Sequence, residues 1–124
     1  MARREQVEKA LRDFVNDTDD IVDAGVVSRD GLMLASIMSS KGIPEERLAA
    51  VTAATVGLCN KNNGTFGNGD LEHVIIRGSK GYMVVMQIPE TNGSALVITT
   101  NPKANLGMLL MGLRDGVESL KSSL

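Results

Sequence analysis

Residues 71–100 read LEHVIIRGSKGYMVVMQIPETNGSALVITT, three runs rich in Val, Ile and Met parted by Gly78-Ser79-Lys80-Gly81 and by Pro89 to Gly93. β-Branched and aromatic residues suit a pleated strand, and clustered Gly, Pro and Asn suit tight turns, so the stretch predicts three consecutive antiparallel strands. In the middle run Tyr82, Val84, Met86 and Ile88 form one alternating row and Met83 and Val85 the other. Both rows are apolar, which means that this sheet is covered on both faces.

Working outward, Asn60 to Asp70 (NKNNGTFGNGD) has three Gly and four Asn and reads as a loop. Before it, Gly42-Ile43-Pro44 with Glu45 and Glu46 marks a helix entry, since proline suits the first turn and carboxylates favour the positive end of the helix dipole. The helix continues as LAAVTAATVGLC, Leu48 to Cys59, with no charge. Leu48, Val51, Thr55 and Leu58 make one row, and Ala49, Ala50, Ala53, Ala54 and Gly57 leave much of the rest small. A sheet in the same chain covers only one side of such a helix, so the other side is expected to meet a second chain. Further back, VDAGVV and LMLAS flank Ser28-Arg29-Asp30-Gly31, whose Asp-Gly pair predicts a hairpin with strands at 23–28 and 32–37. Val7, Leu11 and Phe14 recur at helical spacing in a first helix that should end near Asn16. After the last strand, Asn101-Pro102 is expected to cap and start a final helix with Leu106, Leu110, Leu113, Val117 and Leu120 as its buried stripe and Arg114, Glu118 and Lys121 as a charged ridge. The order helix, two strands, helix, three strands, helix describes an α+β fold: one five-stranded antiparallel sheet with helices on both faces.

The 124 residues, 13 Lys+Arg against 15 Asp+Glu and a net charge of −2, describe a single domain spanning 1–124. A chain of this size hides enough surface to fold without staples, and the single Cys59 makes no intrachain bridge. Near-balanced charge, a pI of about 5.3 and three aromatics (Phe14, Phe66, Tyr82) argue against nucleic-acid binding, which needs clustered cations and stacking surfaces. The charged N-terminal residues MARREQVEKALRDF encode no signal peptide, and the longest uncharged stretch, Leu48 to Asn60, falls short of the ~20 apolar residues that cross a bilayer. The sequons at Asn63 and Asn92 then read as turn chemistry, and the expected location is the cytoplasm.

Catalytic chemistry is sparse. His73 is the only histidine, lies in an expected strand and has no cysteine or second histidine nearby to complete a metal set. Cys59 ends an uncharged helix, where cysteine behaves as a small hydrophobe. Gly64-Thr65-Phe66-Gly67-Asn68-Gly69 precedes a strand where a dinucleotide site must precede a helix, and Gly78-Ser79-Lys80-Gly81 links two strands. Asp17, Asp19, Asp20 and Asp23 lack calcium-loop spacing. Most methionines, Met83, Met86, Met108 and Met111 among them, are expected to fill core. No enzyme activity, metal or cofactor is expected.

AGVVSRDGLMLAS (24–36), the small-residue helix after Pro44, VIIRGSKGYMVVMQI (74–88) and ALVITTNPKANLGMLLMGLRDGVESL (95–120), in this order, resemble the Roadblock family, which includes dynein roadblock light chains, Ragulator scaffold subunits and bacterial MglB. The resemblance spans nearly the whole chain, with a longer polar segment before the third strand than in the dynein light chains. A compact stand-alone copy fits a prokaryotic member. The resemblance implies a profilin-like α/β/α domain with sheet order 2-1-5-4-3, first and third helices on one face and the second on the other. It also implies a homodimer, or a heterodimer with another Roadblock-family chain, in which second helices pack antiparallel and third strands pair at the edge. Carried onto this chain, that seam comprises Leu48, Val51, Thr52, Thr55, Val56 and Cys59, with His73, Val74, Ile75 and Ile76 at the strand edge. The implied function is a non-catalytic regulator or scaffold of a Ras-like small GTPase, with Arg29 and Arg77 as candidate partner contacts. The alternatives are a nucleotide-independent adaptor subunit of a larger complex and, behind it, a small-molecule sensor.

Overall fold

The computed structural model describes residues 3–124; Met1 and Ala2, the start of the expected 1–124 domain, lie outside the described residues. Along the chain run α1 (Arg3–Asp17), β1 (Ile21–Val27), β2 (Met33–Met38), α2 (Glu45–Phe66), β3 (His73–Gly78), β4 (Gly81–Gln87), β5 (Ala95–Thr100) and α3 (Leu106–Lys121). The strands form one antiparallel sheet in the order β2-β1-β5-β4-β3, as expected.

Alternation along the central strands builds two cores. Val26, Leu96, Ile98, Val84 and Met86 face Val7, Leu11 and Phe14 of α1 and Leu109, Leu113, Val117 and Leu120 of α3. The opposite row, with Val27, Val85, Ala95 and Val97, packs under Leu48 and Ala49 of α2. Each aliphatic side chain taken wholly out of water contributes about 1.5–3 kcal/mol, and Leu96, Val97 and Ile98 are buried in succession although they alternate between faces. The helices on the first face meet closely: a Cβ on Gly116 of α3 would stand 2.6 Å from the Phe14 ring of α1.

Three expectations are corrected. Asn60 to Phe66 is helix, not loop: α2 runs on until Gly67, whose φ of 65° only glycine adopts at ease. The Gly67 N–H donates to Gly64 O (3.3 Å) and the Asn68 N–H to Asn63 O (2.9 Å), the paired bonds of a glycine C-cap. Asn is only mildly unfavourable inside a helix, so the Asn run does not stop one already nucleated by the Ala- and Leu-containing stretch before it. The last helix starts at Leu106 rather than at Pro102, because Asn105 supplies the cap, its side chain accepting from Met108 N–H at 3.1 Å. Asn101 instead holds a turn, accepting from Lys103 N–H and donating to Asp20. With the later start, Leu109 and Gly116 join Leu113, Val117 and Leu120 in the buried row, while Leu106 and Leu110 are half-buried. Met108 and Met111 are exposed by 68% and 66% and do not fill core, whereas Met86 does.

One buried charge ties β1 to β5 and to the connection between β2 and α2. Asp23, on the α2 side of the sheet, accepts hydrogen bonds from Ser39 N–H (2.9 Å), Ser40 N–H (2.9 Å), Ser40 Oγ (2.7 Å) and Thr99 Oγ1 (2.8 Å). Burial alone would raise its pKa, but the hydrogen bonds from Ser40, Thr99 and Ser39 together outweigh it and hold the carboxyl below the usual carboxylate value. A depressed folded-state pKa stabilises the fold at pH above the unfolded value of 3.8, and this stabilisation disappears as pH falls through the folded value. Asp23→Asn is expected to cost about 2–3 kcal/mol in urea unfolding at pH 7 and to flatten the acid limb of the stability profile.

Candidate interaction surface

Helix α2 has 22 residues and is about 33 Å long, whereas a seven-residue strand such as β1 spans only about 23 Å. The helix begins beside β2, where the Ser36 hydroxyl donates to the Glu45 carboxylate. By Ala53 it has reached the β1–β2 turn, since a Cβ on Gly31 would stand 3.4 Å from the Ala53 methyl. Its second half therefore projects past its own sheet. Burial follows this geometry: the buried residues of α2 are Leu48, Ala49 and Thr52, all in the first half, and beyond them only Ala53, Thr55, Val56, Cys59 and Asn63 reach half-burial.

The expected seam residues divide accordingly. Leu48 and Thr52 point into the protomer's own core; Thr52 is 1% exposed and its hydroxyl donates to Leu48 O at 2.7 Å. Val56 packs partly against the same core. Val51 is exposed, Leu58 is 62% and Phe66 76% exposed, and Thr55 and Cys59 are half-buried beside them. Leu48, Val51, Thr55 and Leu58 thus share one helical stripe but not one environment: Leu48 is buried against the sheet, Thr55 is half-buried, and Val51 and Leu58 are exposed.

Strand β3 is an edge, bonded only to β4. Opposite Met86, Val85, Val84 and Met83 stand His73, Val74, Ile75 and Ile76. Val74 and Ile76 share the α2 face of the sheet, where the helix lies over β1 and β2 and not over this edge. Ile75 and Ile76 are exposed, Val74 and His73 half-buried. An exposed apolar edge strand with unpaired backbone groups is a surface that pairs or aggregates. Adjoining it, a groove of about 1030 Å³ runs round the turn end of the sheet, floored by Val27, Val56, Leu71, Met86, Ile88 and Val117.

The two arginines are not brought together. Arg29 borders the groove with its stem laid over Gly93, where an added Cβ would stand 3.1 Å from the Arg29 Cβ. Arg77 lies at the opposite end of the sheet, its guanidinium 5.8 Å from the centre of the Tyr82 ring, a cation–π contact across β3 and β4. The groove and the exposed Met108 and Met111 escaped sequence reading. For the methionines a signal existed: their helical row continues into Asp115 and Glu118, which marks a solvent-facing side.

These features define a three-layer, profilin-like domain whose distinctive surfaces are an overhanging helix and an open sheet edge. A family model, the Roadblock/LC7 domain, matches residues 8–100, and the chain belongs to that family. A relative in Methanocaldococcus jannaschii, an uncharacterised protein, is 29% identical over 108 residues, covering 87% of this chain and 91% of its own. Among solved structures, Myxococcus xanthus MglB superposes with a TM-score of 0.88 at 15% identity, over 98% of this chain and 90% of that one. The gliding protein MglB of Thermus thermophilus gives 0.86 at 20% identity, over 99% and 91%. A LokiProfilin in complex with rabbit actin gives 0.68 at 15% identity, over 100% and 98%. Those likenesses establish the fold.

Because Thr52 lies inside the protomer, Thr52→Arg tests the core and not an interface. It is expected to lose about 3–5 kcal/mol, read as a fall in the urea midpoint, since it buries an unpaired charge under α2.

Proposed function

We propose that this protein is a non-catalytic, dimeric regulator or scaffold of a Ras-like small GTPase in the cytoplasm, acting as a homodimer or with another Roadblock-family chain. The observation that carries the reading is the pair of apolar surfaces left uncovered in the protomer: the side of α2 that exposes Val51 and Leu58, and the open edge of β3 with Ile75 and Ile76. Two copies related by a twofold axis bury this kind of surface at once: antiparallel helices cover the overhang, and paired edges remove the unbonded backbone. Family membership supports the GTPase as partner, and the MglB-like fold is consistent with it. Among the described residues no helix is long and apolar enough to cross a membrane.

Regulation by binding requires different affinities for the two nucleotide states of the partner, because a ligand that binds both equally shifts nothing. The purified protein is expected to bind a host Ras-like GTPase at least about tenfold more tightly in one state, loaded with GDP or with a non-hydrolysable GTP analogue, a difference of about 1.4 kcal/mol. Equal binding to both would instead make it an adaptor, and no binding to any would exclude the GTPase reading.

The dimer has its own test. Leu58→Arg changes a side chain already in water, so the melting temperature of the protomer fold is expected to hold, while light scattering shows monomer in place of dimer. An intact dimer would remove the outer side of α2 from the seam.

A further inference from the structure

We propose that the groove at the turn end of the sheet docks a basic segment of a partner protein, an extended stretch that seats an apolar side chain between lysines or arginines. This inference does not depend on the GTPase reading. The floor is apolar, as described above, but the rim is not neutral. Five carboxylates line it, Asp70, Glu72, Glu90, Asp115 and Glu118, against two guanidiniums, Arg29 and Arg114. The lining is thus more negative than the chain as a whole, whose net charge is −2. The acidic excess of the protein is gathered here, and the remainder of the chain is close to neutral.

Among the described residues only Glu90 of these five has a salt-bridge partner, Lys121 at 3.0 Å. The other four carboxylates are exposed and stand in no ion pair. A concave wall lined by one sign of charge focuses the field and attracts the opposite charge, and such complementarity sets both partner choice and association rate.

Geometry decides what kind of cation fits. Among the described residues no three acidic, His or Cys side chains stand together closely enough to hold one metal ion, so the carboxylates are spread along the rim. They come from three places: Asp70 and Glu72 on the approach to β3, Glu90 in the β4–β5 turn, and Asp115 and Glu118 on α3. Spaced anions match spaced cations on a chain, with apolar Leu71, Met86 and Ile88 between them to take an anchor.

The test uses the full chain and a fluorescein-labelled peptide of alternating leucine and lysine, with a second peptide carrying glutamate in place of lysine, followed by anisotropy at physiological salt. One variant neutralises the groove (Asp70→Asn, Glu72→Gln, Asp115→Asn, Glu118→Gln). Another removes the same charge elsewhere (Glu5→Gln, Asp17→Asn, Asp19→Asn, Glu46→Gln). All eight side chains are exposed, so both variants should fold, which melting curves verify. The expected result is that wild type and the remote variant bind the lysine peptide alike, the groove variant binds at least about tenfold more weakly, and the glutamate peptide does not bind. Equal weakening in both variants would reduce the effect to net charge and overturn the site. An unaffected groove variant, or no binding by wild type, would overturn it as well. Competition by spermine as strong as that by the peptide would replace the protein segment with a small polyamine.

Discussion

The sheet is apolar on both faces, and most of the architecture follows from that constraint. β5 places Leu96 and Ile98 on one side and Ala95 and Val97 on the other, all buried. Water must be excluded from both faces, so helices have to be supplied to both. Two of them, α1 and α3, meet closely enough at Phe14 and Gly116 to cover one face as a pair. A single helix, α2, serves the other. The pair covers its side from β2 to β4, while the lone helix lies over β1 and β2 and leaves the β3 side thinly covered. The asymmetry of helix supply thus creates the asymmetry of surface from which the functional reading starts.

Placing a helix over one half of a sheet needs an anchor at its entry, because packing through small residues such as Ala49 is weak per residue. Asp23 supplies it. A carboxylate buried in β1 would be costly alone, yet here it gathers the two backbone N–H groups and one hydroxyl of Ser39 and Ser40, and Thr99 from the neighbouring strand. The polar connection holds the segment that leads into α2, the Ser36–Glu45 bond ties the first turn to β2, and Leu48 and Ala49 pack the helix on the sheet.

Much of this could be read from the sequence. The three strands of 71–100 were marked by alternation and by Gly and Pro turns, and the β1–β2 hairpin by Asp30-Gly31, because period and turn chemistry are local properties. Strand order and the placing of the helices followed from the family resemblance. What escaped were boundaries set by competition between weak local signals. Asn60 to Asn63 looked like a loop because Asn is common in loops, but the residue that ends α2 is Gly67. Asn101-Pro102 resembled a cap, but Asn105 bonds the helix N–H. The seam residues were legible as a helix and a strand, yet not as faces: with almost no charge between Leu48 and Cys59, nothing in the sequence separates inner Thr52 from outer Leu58. The groove was invisible because its lining converges from five separate segments.

The late stop at Gly67 gives α2 two halves of unequal standing. Opening the first half breaks core contacts of Leu48, Ala49 and Thr52, whereas residues 60–66 contribute no buried side chain and end on the Gly67 cap. Amide exchange in an isolated protomer should therefore be graded along one continuous helix, slow near Ala49 and fast near Thr65. A helix of this kind melts from one end, and a partner that covers its free half has to supply the order that the sheet does not. Specificity can then reside in which surface completes the helix, with part of the binding free energy spent on freezing it.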